Sequence, residues 1–527
     1  MCMSRSILKK ASQIAVLSMV SRCLAFVREF LLIKFLGIGA QSDAFFMAFR
    51  VPNTMRKIFA EGALSSVLIP ALVKADKESG DDGVSRLTTL AFVVVESLLL
   101  AFSLWVFFYA TFVITSLAPG FEVDQIIYSV SFLRILVSFI LFVSSTAVLT
   151  AALQSKGKFL IPAVAPAFLN VFYVAALLVC LYKGYSIDVF CVCMVSASVF
   201  SLLMHLIVYL KNNFSFLLPN AHTFVLFRNM LAQFFPYLVS MSVVEINFLI
   251  DIRFSSYLPA GSLSLLRCAF RFIGIPLGVM AASFATVLLP HFARIGSRDK
   301  EDLSLNLFEA IKLIVWTMVP IAFLMGLFSI EIFETLYSAG PDMLEKIQMT
   351  QIVFLVFLSG LLFFSINRVL LNVFYALEIP RVPFVVSVAS VFLNYFLNKT
   401  LIVYYGAPGI AGASVIAAGM QMVVYLLYLY TTLKLKFDGK KFIRFLGGCA
   451  MQWMIAFTVF WAIYKMAHIF VSSLDIDIFV LWFNWKTDFF LHSFGLWAWV
   501  GPIMLLFVLF LFFTRKKFGI KITFLDA

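Results

Sequence analysis

The chain has 527 residues, of which 63% are hydrophobic and 13% are charged, and its mean hydropathy is +1.02. An ordinary globular domain has about 25% charged residues, so no soluble fold could bury this much apolar surface. The net charge of +13 does not indicate a nucleic-acid partner, because the cations fall in short loops between apolar runs rather than on one amphipathic face.

Apolar runs of roughly 20 residues recur along the whole chain, and each is long enough to cross the hydrocarbon core of a membrane as a helix. We therefore predict an all-α polytopic membrane protein with about fourteen transmembrane helices. The predicted spans are residues 11–36, 42–72, 87–114, 128–153, 160–182, 187–210, 231–257, 263–290, 306–330, 348–376, 382–404, 409–433, 446–470 and 490–513.

Lysine and arginine are distributed unevenly among the predicted loops. One set of alternate loops carries most of these residues, including those of segment 434–444 and of the tail at 515–517, whereas the opposite loops carry few. By the positive-inside rule the richer side faces the cytoplasm. Both termini are therefore predicted to be cytoplasmic.

The chain also contains an internal repeat. Residues 63–74 align without gaps on residues 283–294 at an offset of 220, and Phe168-Leu169-Asn170 aligns on Phe392-Leu393-Asn394 at an offset of 224. An even number of helices separates the copies, so the halves have the same orientation, as in transporters built around a central cavity. We predict two parallel six-helix lobes around such a cavity, residues 1–215 and 216–440, followed by two additional helices in residues 441–527.

Several charged side chains lie inside the predicted spans, where an arginine costs roughly 2.5 to 3.5 kcal/mol at the bilayer centre. Ion pairs between the first two helices could neutralise some of them, but the eighth helix has two arginines and no acid in its own span. An excess of arginines in a water-filled cavity favours a phosphate or pyrophosphate ligand, whose oxygens accept paired guanidinium hydrogen bonds. The charged residues are Arg22, Arg28 and Glu29 in the first helix, Asp43, Arg50, Arg56 and Glu61 in the second, and Arg267 and Arg271 in the eighth.

Oxygen-bearing side chains recur in the second half of the chain. They are Glu245 and Asp251 on the seventh predicted helix, Asn394 and Asn398 at spacing i, i+4 on the eleventh, and Ser414 on the twelfth. Such side chains near a Gly-Pro break could hold a hard monovalent cation such as sodium. They could equally form hydrogen bonds between helices, and spacing alone leaves both interpretations open.

Specific motifs accompany these charges. They include Ser21-Arg22, Arg28-Glu29, the ungapped run from Ser42 to Pro70, and Arg271 followed by Pro276 and Gly278. Together they resemble the MurJ (MviN) family over essentially the whole chain. The resemblance implies a lipid II flippase of the multidrug/oligosaccharidyl-lipid/polysaccharide exporter superfamily, placed in the bacterial cytoplasmic (inner) membrane.

The resemblance also implies roles for individual residues. Arg22, Arg28, Arg56 and Arg271 match the family's headgroup-binding arginines, and we predict Glu29, Asp43, Arg50, Asn53 and Glu61 beside them in the same substrate site. The two C-terminal helices would form a groove for the polyprenyl tail. Lipid II and membrane lipids are the implied partners, and other proteins of cell-wall synthesis could be further ones.

A sodium site is implied for some family members, and the matching positions here are Asp251, Asn394, Asn398 and Ser414. Two departures affect the transfer. Glu29 stands where the family usually has Asp, and Asn398 stands where the sodium-binding pattern has an acid, which removes one negative charge from that site.

Two other functions are alternatives to a flippase for a polytopic membrane protein. A drug or cation exporter of the same superfamily would need acids rather than arginines in the first lobe. A polyprenyl-dependent membrane glycosyltransferase would need paired carboxylates in a large external loop, where the first such loop offers only Glu122 and Asp124. The chain has no Walker motif, so direct use of ATP is not predicted. We predict a transporter rather than an enzyme, with no cofactor other than a sodium ion if that site is retained.

Overall fold

The computed structural model describes most of the chain, and every regular element in the described residues is a helix. This confirms the predicted all-α class. The described residues are 21, 24–59, 63–158, 160–212, 214–295, 300–337, 341–377, 379, 381–435, 438–473 and 488–522. Two predicted site residues, Arg22 and Glu61, lie outside the described residues, as do residues 11–20, 22 and 23 of the first predicted span.

Eighteen helices and one 3₁₀ turn are present in the described residues. They are α1 (residues 24–36), α2 (Ala40–Phe59), α3 (Ala63–Phe108), α4 (Ala110–Leu117), α5 (Val123–Leu136), α6 (Phe139–Ser155), α7 (Leu160–Lys183), α8 (Ile187–Lys211), α9 (Ala221–Ser255), α10 (Ser262–Ile295), α11 (Lys300–Leu327), α12 (Ser329–Leu336), α13 (Pro341–Ser359), α14 (Leu361–Ala376), α15 (Arg381–Tyr405), α16 (Ala407–Thr431), α17 (Gly439–Ser473) and α18 (Asp488–Thr514), with a final 3₁₀ turn at Arg515–Phe518.

Eight helices among the described residues are long and apolar enough to cross a membrane. A ninth span results if α13 and α14, which are bent by 42° relative to each other, count as one. The chain is thus a multi-pass membrane protein. The total of fourteen spans stays a prediction, because part of the first predicted span lies outside the described residues and the arginine-rich α2 is not among the eight.

Two glycines show why helix boundaries differ from the predicted spans. Gly80 has φ +60° inside α3, a conformation that favours glycine, and it kinks the helix where we predicted a loop. Gly360 separates α13 from α14, where a Cβ would collide with the side chain of Val415. The predicted second span, residues 42–72, overlaps α2 and the start of α3, and its residues 60–62 lie outside the described residues.

The chain forms two compact units, which we call unit 1 and unit 2. Unit 1 comprises Met1–Arg267 and Asn394–Ile410, and unit 2 comprises Cys268–Leu393 and Ala411–Ala527. In unit 1, α3 packs on α6 and α9, and α2 packs on α5; in unit 2, α17 packs on α18 and α11 on α14. The lobe boundaries predicted from the repeat stay a prediction.

Phenylalanine fills the core of unit 1. Phe45 on α2 is 1% exposed, and its ring centroid lies 5.9 Å from that of Phe49, 6.5 Å from that of Phe132 and 6.0 Å from that of Phe190. Edge-to-face and offset contacts of this kind add to the free energy of burial. They fix α2, which carries most of the candidate site, against α5 and α8.

Candidate functional site

Arg28 on α1 is held by a neutral partner as well as by an acid. Its Nη1 donates to Asn170 Oδ1 on α7 at 2.9 Å, and its Nη2 lies 3.4 Å from the carboxylate of the adjacent Glu29. Asn170 also donates to the carbonyl and hydroxyl oxygens of Ser21, at 3.1 and 3.3 Å. The Arg28 side chain remains 25% exposed, so its orientation is fixed while part of the guanidinium stays accessible.

Arg56 lies near the end of α2. Its Nε and Nη2 both donate to Asn53 Oδ1, at 3.2 and 3.0 Å. The Arg28 guanidinium lies 5.8 Å from the ring centroid of the buried Tyr173 on α7. Two predicted site residues, Asn53 and Arg56, are thus joined by hydrogen bonds.

Arg50 and Lys57 share the carboxylate of Glu245, a pairing that the sequence did not indicate. Arg50 Nη2 lies 2.6 Å from Glu245 Oε2 and Lys57 Nζ lies 2.8 Å from Oε1, while the Thr54 hydroxyl donates to Oε2 at 3.3 Å. Positions 50, 54 and 57 follow i, i+4, i+7 and occupy one face of α2. Two cations for one anion leave this group with net positive charge. We call Arg28, Arg50, Arg56 and Lys57 the arginine cluster.

The carboxylate of Asp43 joins α2 to the first turn of α10. Asp43 is 2% exposed, and it accepts from the backbone N–H groups of Gly261 at 2.6 Å and Ser264 at 2.7 Å, as well as from the Ser264 hydroxyl. The first N–H groups of a helix have no partner within the helix, so an acid at this position stabilises the start of α10. Asp43 therefore positions α2 in this structure.

The two arginines predicted in α10 have different surroundings. The Arg267 guanidinium lies over the ring of Phe46, 4.8 Å from its centroid, and both residues belong to unit 1. Arg271, one turn later, has an exposed side chain and belongs to unit 2.

A second polar cluster joins α9 to α15. Asn398 Nδ2 donates to Asp251 Oδ1 at 2.8 Å and to Asn394 Oδ1 at 3.0 Å, and Asn398 is fully buried. We call Asp251, Asn394 and Asn398 the amide cluster. The fourth predicted sodium ligand, Ser414 on α16, is half-buried and belongs to unit 2.

The placement of the Asn398 side chain bears on the predicted sodium site. Its amide nitrogen lies between the oxygens of Asp251 and Asn394, where a cation would need an oxygen ligand. Its amide oxygen is buried and accepts no hydrogen bond within the described part of the chain, and rotation of the amide would bring three oxygens together. The sodium site therefore stays a prediction.

Comparisons with known proteins identify the family to which this chain belongs. The family described as "Lipid II flippase MurJ" matches residues 32–481. The chain belongs to the MurJ family. Proteins named "Probable lipid II flippase MurJ" are similar to it: that of Buchnera aphidicola subsp. Acyrthosiphon pisum (strain APS) is 27% identical over 423 residues, covering 77% of this chain and 80% of the relative. That of Rhizobium meliloti (strain 1021) is 29% identical over 433 residues, covering 80% of each.

Solved structures show the same fold. The structure titled "Lipid II flippase MurJ, inward closed conformation" matches with a TM-score of 0.73 at 22% identity and covers 96% of this chain and 99% of that one. An inward-facing multidrug resistance MATE family transporter of the MOP superfamily matches with a TM-score of 0.64 at 14% identity, over 79% of this chain and 98% of that one. The MurJ and MATE folds are therefore those that this sequence adopts.

The structure of this MurJ family member adds residues that the sequence analysis missed. Lys57 lies at i+7 from Arg50, a spacing that could have revealed it. Glu96, in the apolar part of α3, accepts a hydrogen bond from the Ser144 hydroxyl at 2.5 Å, and its isolated charge in an apolar span was an available signal. The contacts of Tyr173 had no sequence signal.

Proposed function

We propose that this chain is a flippase that moves lipid II from the inner to the outer leaflet of the bacterial cytoplasmic membrane by alternating access. The observation that carries the proposal is the family match over residues 32–481. It is supported by the arginine cluster, because lipid II carries a pyrophosphate. Both termini would face the cytoplasm, and no covalent chemistry would be required.

The geometry of Arg28 suits a pyrophosphate oxygen. A guanidinium presents planar pairs of N–H donors that match phosphate geometry. Asn170 occupies one Nη1 donor at 2.9 Å, and the 3.4 Å contact with Glu29 is long. An arriving phosphate could therefore take over donors of Arg28 while Asn170 keeps the side chain oriented.

The other cations of the arginine cluster would raise the positive potential around Arg28. Arg50 and Lys57 both pair with the single carboxylate of Glu245, and Arg56 adds a further positive charge on the same helix. Charge of this kind attracts an anionic headgroup. Outward movement of an anion would also be assisted by an inside-negative potential, by roughly 2.3 kcal/mol per charge per 100 mV.

The substrate role can be tested with Arg28→Ala and Arg28→Lys. Exposure of lipid II at the outer leaflet should be lost in the Ala variant and at best partly retained in the Lys variant, because Lys keeps the charge but loses the planar fork. Arg134→Ala is the matched control, since this exposed arginine of α5 donates to the carbonyl of Phe107 and is not a predicted site residue. Normal exposure in Arg28→Ala, at equal protein level in the membrane, would refute the proposal.

The orientation can be tested separately. A single cysteine placed in segment 434–444 of a cysteine-free background should react with an impermeant thiol reagent only after the cells are opened. Labelling of that cysteine in intact cells would contradict cytoplasmic termini and the positive-inside assignment.

A further inference from the structure

A dense positive surface lies at one end of α17 and α18. All of its cations are exposed, and within the described parts of segments 434–444 and 515–522 the one acid is Asp438, which pairs with Lys441 at 3.3 Å. We call it the C-terminal basic surface. Its members are Lys434, Lys440, Lys441, Arg444, Lys516, Lys517 and Lys521.

The tail that carries three of these cations has a fixed backbone. Gly519 has φ +70°, which ends the 3₁₀ turn, and the Ile520 N–H then donates to the Arg515 carbonyl at 3.0 Å. Ile520 and Ile522 are both fully buried. Because successive residues alternate between core and solvent here, Lys521 is held outward between two buried isoleucines.

A buried lysine ties the tail to the start of α17. Lys312 Nζ on α11 donates to the Lys521 carbonyl at 2.9 Å, and it lies 5.5 Å from the ring centroid of Phe445, the residue after Arg444. The Lys312 charge is itself balanced by Glu309 at 2.5 Å. The cations of the tail and those of α17 therefore form one continuous surface.

One basic side chain of unit 1 has different surroundings. Lys156, in the connection after α6, lies 2.5 Å from both Asp76 and Asp81, and these hydrogen bonds raise its pKa. That lysine is already neutralised by the chain. A signal for topology alone requires only lysines and arginines in a loop, whereas the C-terminal basic surface places seven exposed cations beside one acid, Asp438, within its described segments.

Large apolar side chains accompany the basic surface. Ile443 and Phe513 are each 72% exposed, so the cations stand next to side chains that would meet lipid acyl chains. Clusters of four to eight cations at the end of a transmembrane helix are suited to anionic lipid headgroups. We propose that the C-terminal basic surface binds the phosphate headgroups of anionic glycerophospholipids in the leaflet that it faces.

The test uses the purified full-length protein in a neutral detergent. Dioleoylphosphatidylglycerol should raise its Tm more than dioleoylphosphatidylcholine does, and added salt should reduce the difference. In the triple variant Lys516→Gln, Lys517→Gln, Lys521→Gln, apparent binding of phosphatidylglycerol should weaken about tenfold or more. The matched control is Lys158→Gln, Lys183→Gln, Lys211→Gln, which removes the same charge from exposed positions of unit 1.

Equal Tm rises with the two lipids, or an unchanged response in the tail variant, would overturn the proposal. If the tail variant folds poorly, Lys→Arg at the same three positions should keep the phosphatidylglycerol response, and its loss there would also count against the proposal. Soluble inorganic pyrophosphate is a further arm. A Tm rise with pyrophosphate that the tail variant abolishes would identify a free-phosphate site and overturn the assignment to lipid.

Discussion

Asn170 on α7 and Asn394 on α15 occupy equivalent positions of the internal repeat, yet their amide oxygens accept hydrogen bonds from different groups. Asn170 Oδ1 accepts from the partly exposed guanidinium of Arg28, whereas Asn394 Oδ1 accepts from the buried amide of Asn398. The two repeat positions thus share an amide acceptor, but the group that donates to it differs. At Asn170 the acceptor orients a cation suited to an anionic ligand, and at Asn394 it holds an amide of its own helix, Asn398, which also donates to Asp251 on α9.

The comparison extends to the acids. Glu245 faces two cations of α2, whereas Asp251, six residues later on the same helix, accepts a hydrogen bond from the Asn398 amide. Charge is therefore concentrated in the arginine cluster. The variants below test this difference in charge between the arginine cluster and the amide cluster.

The largest effect is expected from Glu245→Gln. Arg50 and Glu245 have side chains only 4% and 9% exposed, and removal of one partner leaves a buried charge uncompensated, which costs about 3 kcal/mol. Thermal unfolding of the purified protein should show a large fall in Tm, partly restored by adding Arg50→Met. Glu29→Gln is the control, because its more exposed 3.4 Å pair with Arg28 should contribute less than about 1 kcal/mol. Equal effects of the two single variants would contradict the contrast.

An intermediate effect is expected at the two asparagines. Asn170→Leu and Asn394→Leu each remove a buried acceptor, so each should lower stability by about 1 to 3 kcal/mol. Only Asn170→Leu should also reduce lipid II exposure at the outer leaflet, because it releases Arg28. Transport assays at matched protein levels would decide, and an equal loss of transport in both variants would show that the two positions are not divided in function.

The sequence predicted part of this arrangement well. Arg28 beside Glu29 and Asn394 four residues before Asn398 are local patterns, and helical spacing is enough to identify them. The partners of Glu245 and Asp43 could not be predicted from helical spacing. Glu245 meets Arg50 across 195 positions, and Asp43 meets Ser264 across 221, so their partners depend on how helices pack. Helical spacing within α2 and α9 carries no information about that packing.

Helix breaks show the same limit. Apolar composition predicted nine of the spans that the structure supports, counting the bent pair α13 and α14. It did not predict the break at Gly360, because the break depends on close contact with Val415 on α16. A glycine in an apolar run is compatible with a continuous helix until the neighbouring side chain is known.

A smaller effect is expected from Asn398→Asp. The parent should show no sodium dependence of Tm, because the Asn398 amide already bridges Asp251 and Asn394. A carboxylate at 398 would repel Asp251, and sodium should then stabilise the variant by about 2.7 kcal/mol at a concentration 100 times its Kd. Potassium at the same ionic strength is the control. A sodium-dependent rise in the parent would instead support the predicted sodium site and rotation of the amide.

The smallest change in stability is expected from Lys57→Met. Its side chain is 37% exposed, so solvent screens the pair with Glu245, which should contribute about 1 kcal/mol or less. Arg50 would remain to neutralise Glu245 at 2.6 Å, so the fold should persist. Lipid II exposure should nevertheless fall, because the variant removes the cation that gives this group its net positive charge. Lys57→Arg should keep transport. If Lys57→Met transports normally, Lys57 only supports Glu245, and the positive charge relevant to the headgroup lies with Arg28 and Arg56.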